Sequence, residues 1–592
     1  MAKEIYTNYS VPVGTLIDDV KSGRTGLPDL QRPFVWKDNK VRDLLDSMIN
    51  GFPIGYVILW NSPDDYNNSK TIGINEKTYK RPSNLVIDGQ QRLTSLIGAL
   101  EGVKVKDKDY QEHKIKISFH PLDRKFEVWD MSTERNHEWI SDISDIFAAD
   151  IEHKMPSFRK AYIKNLNESK TKKGEAILTD EEEELIESRL NEVLDLKKYC
   201  LPTIEIKSTA DEEQVAEIFK RVNSGGQKLN ENNFIETLLS VYDNDIYQCI
   251  DRFCSQSRIH ADGTSYNHII ELQSSQLIRM IVGVGFHRAR MKYAYKILRG
   301  HDLQTRTFSE EYRVESLKIF KDALNKVVNL NDWHAFLNLF PNAGYVRGSH
   351  ISSSYVVVFS YVLYLIGKYE YKVSINVLEK LLTRWIFMTT ITSFYTNSSE
   401  STVEHQMADL RDIKTADEFV AYLNNTIQQR MTDDFFNVTL IQDLSNAAAI
   451  SPAWYGYVAS LNILGTQLLF SSALQSQKLA PGSSGNKKAL DKHHIFPKHH
   501  LEERLGITDN RVTNQIANFT YLDYQTNIEI GDKAPAEYIK DFKTRLGEEA
   551  FAKTCSENAL PEGFENMEYL EFLEKRRKLM SNIIRKAYER LQ

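Results

Sequence analysis

The chain has only four cysteines, Cys200, Cys249, Cys254 and Cys555, and none stands in a CxxC pair or beside a histidine cluster at zinc-ligand spacing. That excludes a disulfide framework and gives no sign of a structural zinc. No run approaches the roughly 20 apolar residues needed to cross a bilayer. The longest apolar stretches, residues 355–367 and 457–470, are short and interrupted, and they predict buried helices rather than membrane spans. The opening "MAKEIYTNYS" has no apolar core of signal-peptide type, so a cytoplasmic protein without a membrane partner is expected. The phosphate-cradling pattern GxxxxGK[ST] is missing, so any nucleoside triphosphate would be held by a non-Walker site. A surplus of positive charge is missing too: the formal net charge is -7. This argues against a protein coated in positive charge, yet nucleic-acid affinity depends on local Lys/Arg clusters and stays open.

What is present is a long globular chain. Its 592 residues exceed one core, and a prior of roughly 100–200 residues per domain suggests three or four. Hydrophobic residues at 41% and charged ones at 26% fit a folded protein with a sizeable core. Residues 11–125 mix helix and strand. "GTLIDDVKSG" and "VRDLLDSMINGF" carry helical apolar spacing, "YVILW" and "NLVID" read as strands, and "QQRLTSLIGAL" starts a helix directly after the second strand. "HKIKISFHP" and "KFEVWD" around "LDR" predict a β-hairpin. Residues 142–198 read as charged helices, with a Thr/Asp cap ahead of the acidic run in "TDEEEELIESRLNEVLDL". "YCLPTIEIKS" returns to strand, followed by the helix "DEEQVAEIFKRV" and the turn "NSGGQKLN". Residues 231–475 are almost continuously helical, and residues 477–490, rich in Gly, Ser, Pro and Lys, predict a mobile connection.

Directly after that connection comes "DKHHIFPKHH", which holds four of the fifteen histidines. An isolated His-His pair is by itself a polar surface feature. Here it ends a short strand stopped by Pro497, and "NFTYLDYQTN" downstream places Asn518 at the head of a second strand and Asn527 in a following helix. Strand, loop, strand and helix in that order can fix one divalent cation through neutral His and Asn ligands, with room for water and a phosphate oxygen. The neighbouring His can then deprotonate a water for attack on phosphorus. Lys478, Lys487, Lys488, Lys492 and Lys498 surround this segment with positive charge, as phosphate contact requires. His499 and His500 are read as solvated or contacting DNA rather than catalytic.

Three polar turns mark the N-terminal part. "VIDGQQRLTSLIGAL" puts Asp88, Gly89, Gln90, Gln91 and Arg92 at a strand-to-helix turn, where backbone amides, the helix N-terminus and a guanidinium could meet an anion. Asp88 could hold a cation or orient a water. Gln31 and Arg32 form a second Gln-Arg pair at a strand end, and Arg221 and Asn223 stand beside Gly225 and Gly226 in a nest-like turn. Together the three could converge on a triphosphate.

The histidine set resembles the HNH (ββα-metal) nuclease motif in its "HHI-x-P" pattern, in the nine-residue step from Asn518 to Asn527, and in "NIEIGDKAPAEYI", which is similar to the N-x-x-x-x-x-K-x-P tail of one HNH subfamily. The resemblance implies His494 as general base, His493 and Asn527 as ligands of Mg²⁺ or Mn²⁺, and Asn518 as the brace of the histidine loop. HNH enzymes more often have Asp where His493 stands, which leaves Asp491 as an alternative ligand. The three N-terminal turns resemble the nucleotide-binding domain of GmrSD-type modification-dependent (type IV) restriction endonucleases, a relative of the ParB/sulfiredoxin fold. Residues 384–410 are similar to that family's Y-x-x-S-x-E segment, and the two-part layout is similar to single-chain nucleases that sense phosphorothioated DNA.

The likeness implies an α+β multidomain chain acting in prokaryotic defence. Residues 1–240 would form a ParB-like α/β NTPase domain, 241–450 an all-helical coupling domain, and 451–592 an HNH endonuclease domain set within helices. It implies Gln31, Arg32, Asp88, Gly89, Gln90, Gln91 and Arg92, with Arg221 and Asn223, as the site for a nucleoside triphosphate (GTP, UTP, CTP or ATP), Asp88 being also a catalytic candidate. Double-stranded, modified DNA is the implied substrate, and homo-oligomerisation is left open. The rival readings are a nucleotide-switched DNA-binding regulator whose HNH fold does not cut, and an RNA-cleaving toxin.

Overall fold

The computed structural model describes residues 5–26, 36–61, 83–106, 112–210, 214–215, 218, 222, 244–481 apart from 299, 304, 306, 308 and 449, and 490–592. The chain divides into two compact units, Met1–Asp251 and Arg252–Gln592. The expected boundary between residues 450 and 451 falls inside the second.

The first unit is built on a five-stranded mixed sheet. Its strands are β1 (Tyr6–Pro12), β2 (Thr25–Gly26), β3 (Val57–Asn61), β4 (Asn84–Asp88) and, far along the chain, Cys200–Ile206. Two short antiparallel pairs lie between them in sequence, β5 (Lys104–Lys106) with β6 (Glu112–Lys114) and β7 (Ile117–His120) with β8 (Lys125–Val128), so Cys200–Ile206 is β9. The β7–β8 pair is the hairpin predicted around "LDR". In the sheet the order is β1-β9-β3-β4-β2. β9 runs antiparallel to β1 and parallel to β3, and β4 runs antiparallel to β3 and parallel to β2.

Alternation along the strands explains why "YVILW" is apolar throughout. Val57, Leu59 and Val86 join a cluster with the helices α1 (Val13–Lys21), α2 (Asp38–Ile49) and α3 (Gln90–Glu101), whereas Ile58, Trp60 and Leu85 pack on the opposite face with Ile206, Ala210 and Val215. Both faces are covered, so no position is free to be polar. α1 buries Val13, Leu16, Ile17 and Val20, an i, i+3, i+4, i+7 stripe, in the stretch "GTLIDDVKSG" read as helical and one residue before it. The acidic helix Asp180–Leu194 begins in a capping box, Thr179 with Glu182, as its opening residues predict.

The second unit is mostly helical, and its one two-stranded sheet, among the described residues, carries the histidines. The helix Ser354–Tyr369 buries every residue from Val356 to Gly367 and packs against Ile375–Ile391. The other predicted buried helix, residues 457–470, is only half so. Pro452–Leu464 is helical, but Gly465 takes φ 72° and stops it, after which the chain folds into a bridge between Gln467 and Leu474. Pro452–Leu464 packs on the long C-terminal helix Tyr569–Arg590, which also supports the segment carrying the histidines. Of the connection at residues 477–490, Gln475–Leu479 is a short helix with buried ends, and residues 482–489 lie outside the described residues.

Candidate functional site

The histidine pair sits on β10 (Leu490–His494), which pairs antiparallel with β11 (Phe519–Asp523), His493 opposite Thr520 and His494 opposite Phe519. The helix Tyr524–Ile530 follows β11 without a gap, capped by Asp523, whose carboxylate accepts from the Thr526 amide at 2.8 Å. Side chains alternate along a strand, so Asp491 and His493 share one face and Lys492 and His494 the other. Asn527 joins the first face. Its Nδ2 donates to Asp491 Oδ2 at 3.2 Å, and the same amide favours the protonated form of His493 beside it. The arrangement brings a carboxylate, an imidazole and an amide together.

His493 is neutral over the physiological range. Burial is the main cause, the neighbouring His494 adds to it, and together they pull its pKa down to about 4 although Asn527, Asp532 and Asp491 oppose them. Its Nε2 is buried and has no hydrogen-bond partner. A buried, neutral imidazole nitrogen without a donor is suited to a cation. The donor set has two groups of the His/Cys/Asp/Glu kind plus an amide oxygen, and among the described residues no cluster of three or more such groups exists. Such a sparse set fits a hard divalent ion that keeps part of its water shell, and does not fit zinc.

On the other face, His494 Nε2 lies 2.8 Å from Asn514 Oδ1. An amide oxygen only accepts, so Nε2 carries the proton and the lone pair resides on Nδ1. Burial depresses the His494 pKa, Lys492 and Lys498 depress it further, and the Asn514 hydrogen bond opposes them. Asn514 was not singled out in the sequence. Its only local cue is that it precedes Asn518 by one helical turn's spacing.

Asn518 is fully buried in a 3-10 turn ahead of β11. Its Oδ1 accepts from the Phe496 amide at 2.9 Å, and its Nδ2 donates to the carbonyls of Phe496 at 3.0 Å and Thr513 at 3.1 Å. Tyr538, also buried, donates to the Ile495 carbonyl at 2.8 Å. Arg576, fully buried on the C-terminal helix, donates to Ala517 at 2.6 Å. The loop after the histidines is thus held by Asn518 and Tyr538, and Arg576 holds the turn that carries Asn518; neither Tyr538 nor Arg576 carries a motif that would have marked it.

The surrounding lysines are not alike. Lys492 sits over the rings of Phe519, at 3.8 Å, and Trp454, at 5.0 Å, and burial lowers its pKa to about 8. Lys498 pairs with Glu502 at 3.4 Å. Lys487 and Lys488 lie outside the described residues. His499 is exposed, and His500 is half-buried at the start of a π-helical turn.

In the first unit, β4 ends at Asp88 and α3 begins at Gln90, with Gly89 between them at φ 92°. A Cβ there would meet Val57 Cγ2 at 3.0 Å, so the turn requires glycine on both counts. Arg92 turns back from the helix: its Nη1 donates to the Tyr56 carbonyl at 2.6 Å, and the approach is close enough that a Cβ on Gly55 would lie 2.9 Å from Nη2. Burial lowers the guanidinium's basicity, with Asp88 and Tyr56 opposing. Gln90 donates to the Val86 carbonyl at 2.8 Å, and the Gln91 carbonyl accepts from Ser95. Gly55 and Tyr56 are partners of this turn that no motif signalled. Gln31, Arg32, Arg221 and Asn223 lie outside the described residues, so of the three turns expected to converge only Asp88–Arg92 is described.

The Y-x-x-S-x-E segment, Tyr395 to Glu400, joins two helices. Tyr395 is buried and donates to Gln406 at 2.7 Å, while Glu400 pairs with Arg279 at 2.5 Å.

With this geometry in place, the comparisons with known proteins add the following. Residues 13–240 match the family model described as the GmrSD restriction endonuclease N-terminal domain. That likens the sheet-bearing part of the first unit to a domain of a restriction-type nuclease family. An uncharacterised protein of Methanocaldococcus jannaschii is 22% identical over 546 residues, which cover 89% of this chain and 86% of the relative. The similarity therefore runs through both units. Among the described residues, no helix is long and apolar enough to cross a membrane.

Proposed function

We propose that the chain is a metal-dependent DNA endonuclease of restriction type, with a cutting site on β10, β11 and the helix Tyr524–Ile530 of HNH character, governed by nucleotide binding in the first unit. The observation that carries this reading is the division of labour across β10: Asp491, His493 and Asn527 on one face, and on the other a neutral His494 whose tautomer is set by Asn514. His494 accepts a proton from the attacking water at Nδ1, and the Asn514 amide steadies the resulting imidazolium through Nε2. Asn518 and Tyr538 hold the backbone that aims this ring. Asp491, His493 and Asn527 are the residues that would hold a divalent cation, which when bound would supply Lewis-acid stabilisation of the charge on the leaving oxygen.

The match of residues 13–240 to a restriction-endonuclease domain supports DNA as the substrate; that the DNA is modified, and that the first unit is the regulatory part, belong to the proposal itself. Asp88, Gly89, Gln90, Gln91 and Arg92, with Gln31, Arg32, Arg221 and Asn223, are the residues for a nucleoside triphosphate, the helix N-terminus after a left-handed glycine being suited to phosphate. The test is cleavage of modified and unmodified phage DNA, and of RNA, by the full chain with Mg²⁺ or Mn²⁺, with and without each NTP. Metal-dependent DNA cleavage that chelation abolishes and His494→Ala removes is expected. A wild-type chain that cuts RNA alone, or a His494→Ala variant that cuts as well as wild type, would sink the reading.

A further inference from the structure

The second unit contains a cleft of about 740 Å³ that none of the motifs accounts for, between the loop of residues 257–271 and the turn around Gly348. Its volume falls in the range of small-ligand sites. The loop contains neither helix nor strand, yet it is fixed. Asn267 Oδ1 accepts from the amides of Ile269 and Ile270, both at 2.8 Å, Trp333 donates to the Ser265 carbonyl at 3.0 Å, and His334 to that of Thr264 at 2.8 Å. The Gly348 amide donates to His268 at 3.0 Å, and a Cβ on Gly348 would lie only 2.1 Å from the Ile269 carbonyl oxygen. An irregular loop clamped this firmly is a preorganised surface.

What it presents is specific. Tyr266 has His260 edge-on at 4.7 Å and His268 edge-on at 5.2 Å, which gathers three flat rings. Arg258 and Arg347 line the cleft, and Asn267, Gln276 and Glu271 add donors and acceptors. Flat rings for a base, guanidinium groups for phosphate and amides for base edges are the combination that binds an unstacked nucleotide. The cleft also adjoins the histidine sheet. Arg347 Nε donates to the Leu479 carbonyl at 2.6 Å, and Pro481 also lines the cleft. Trp454, whose ring is tilted against Tyr521 of β11 at 5.4 Å, carries Lys492 of β10 over its ring. Tyr455, next to Trp454, stacks on His350 at 4.6 Å beside the Gly348 turn.

We infer that this cleft holds an unstacked nucleotide of the DNA strand presented to the His494 site, flanking the bond to be cut. The inference rests on the nuclease reading above. The decisive measurement is binding of fluorescein-labelled single-stranded and duplex oligonucleotides to the full chain in EDTA, where no cutting occurs, alongside Mg²⁺-dependent cleavage. Tyr266→Ala and His268→Ala are expected to weaken binding about tenfold, Tyr266→Phe to retain it, and Arg258→Gln to lower the slope of log affinity against log salt by about one. Melting temperature checks that each variant is folded. His268 is exposed, so His268→Ala tests the cleft even if Tyr266→Ala does not fold. Variants that bind like wild type, in a protein that does cut DNA, overturn the cleft assignment alone. A wild-type chain that neither binds nor cuts DNA overturns both readings. Loss of ATP or GTP binding in these variants with DNA binding unchanged would make the ligand a free nucleotide and overturn the strand assignment.

Discussion

The histidine strand and the "DGQQR" turn are made from the same part, a β-strand ending in polar residues ahead of a turn, yet they leave different chemistry on offer. At β10 three polar groups converge, and one buried nitrogen, His493 Nε2, has no partner. At the β4–α3 turn the polar groups serve the fold: Arg92 holds the Tyr56 carbonyl and Gln90 holds that of Val86. A ligand at the first site relieves an unmet bond, whereas a ligand at the second must exchange existing bonds for new ones. The first therefore reads as a centre built around a ligand, and the second as a scaffold that needs partners from elsewhere in its unit. The two motifs looked equally informative on the page of sequence, and hydrogen-bond accounting separates them.

Substitutions at the two sites and a change of pH test that difference. The largest effect is expected from His494→Ala, which should lower Mg²⁺-dependent cleavage by about 10²–10⁴-fold while leaving DNA binding in EDTA intact. Equal rates for variant and wild type would remove the general base from the scheme.

Acid comes next. His493 and His350 have folded-state pKa values lowered to about 4, chiefly by burial, against 6.5 in the unfolded chain. As pH falls below 6.5 the unfolded chain takes up these protons first, so the stability is complete above about 6.5 and is lost on descent toward 4. Each group accounts for about 3 kcal/mol. Urea midpoints of the metal-free chain at pH 7 and pH 4.5 measure the loss. His350→Phe, which keeps a ring against Tyr455, should reduce it, and an unchanged pH slope would show that His350 is not buried neutral.

Asn518→Ala should lower stability by about 2–3 kcal/mol, because it leaves the Phe496 amide and carbonyl unpaired in the interior, the Thr513 carbonyl keeping the Tyr569 hydroxyl at 3.3 Å. A loss under about 0.5 kcal/mol, the range of ordinary surface changes, would contradict the bracing role. The smallest effect is expected from Gly89→Ala, about 1–2 kcal/mol from the left-handed backbone together with the Val57 contact. NTP-independent cleavage should survive it. If cleavage falls in step with stability, the two regions are coupled and the contrast drawn above fails.

Much of the local structure could be read directly. α1, α2, α3, the β7–β8 hairpin and the capped acidic helix followed from apolar spacing, turn residues and the Thr179 box, because each depends on neighbours within a few positions. β1 could not be read. It is an exposed strand whose pattern shows no alternation, and it is held by β9, nearly two hundred residues away. The helix expected through residues 457–470 failed at Gly465 because a single left-handed residue outweighed a run of apolar ones.

At the candidate site, the sequence by itself determined the chemical inventory: the paired histidines, Asn518, Asn527 and Asp491, and their order on strand, strand and helix. It could do so because spacing along the chain controls which side chains share a face. Only the tertiary structure decided which nitrogen of His494 carries the proton, that Asn514 sets it, that Tyr538 and Arg576 stiffen the loop, and that a clamped aromatic cleft borders the same sheet. Those features join residues 20 to nearly 250 positions apart, and burial and hydrogen-bond satisfaction, which no local pattern encodes, bring them together.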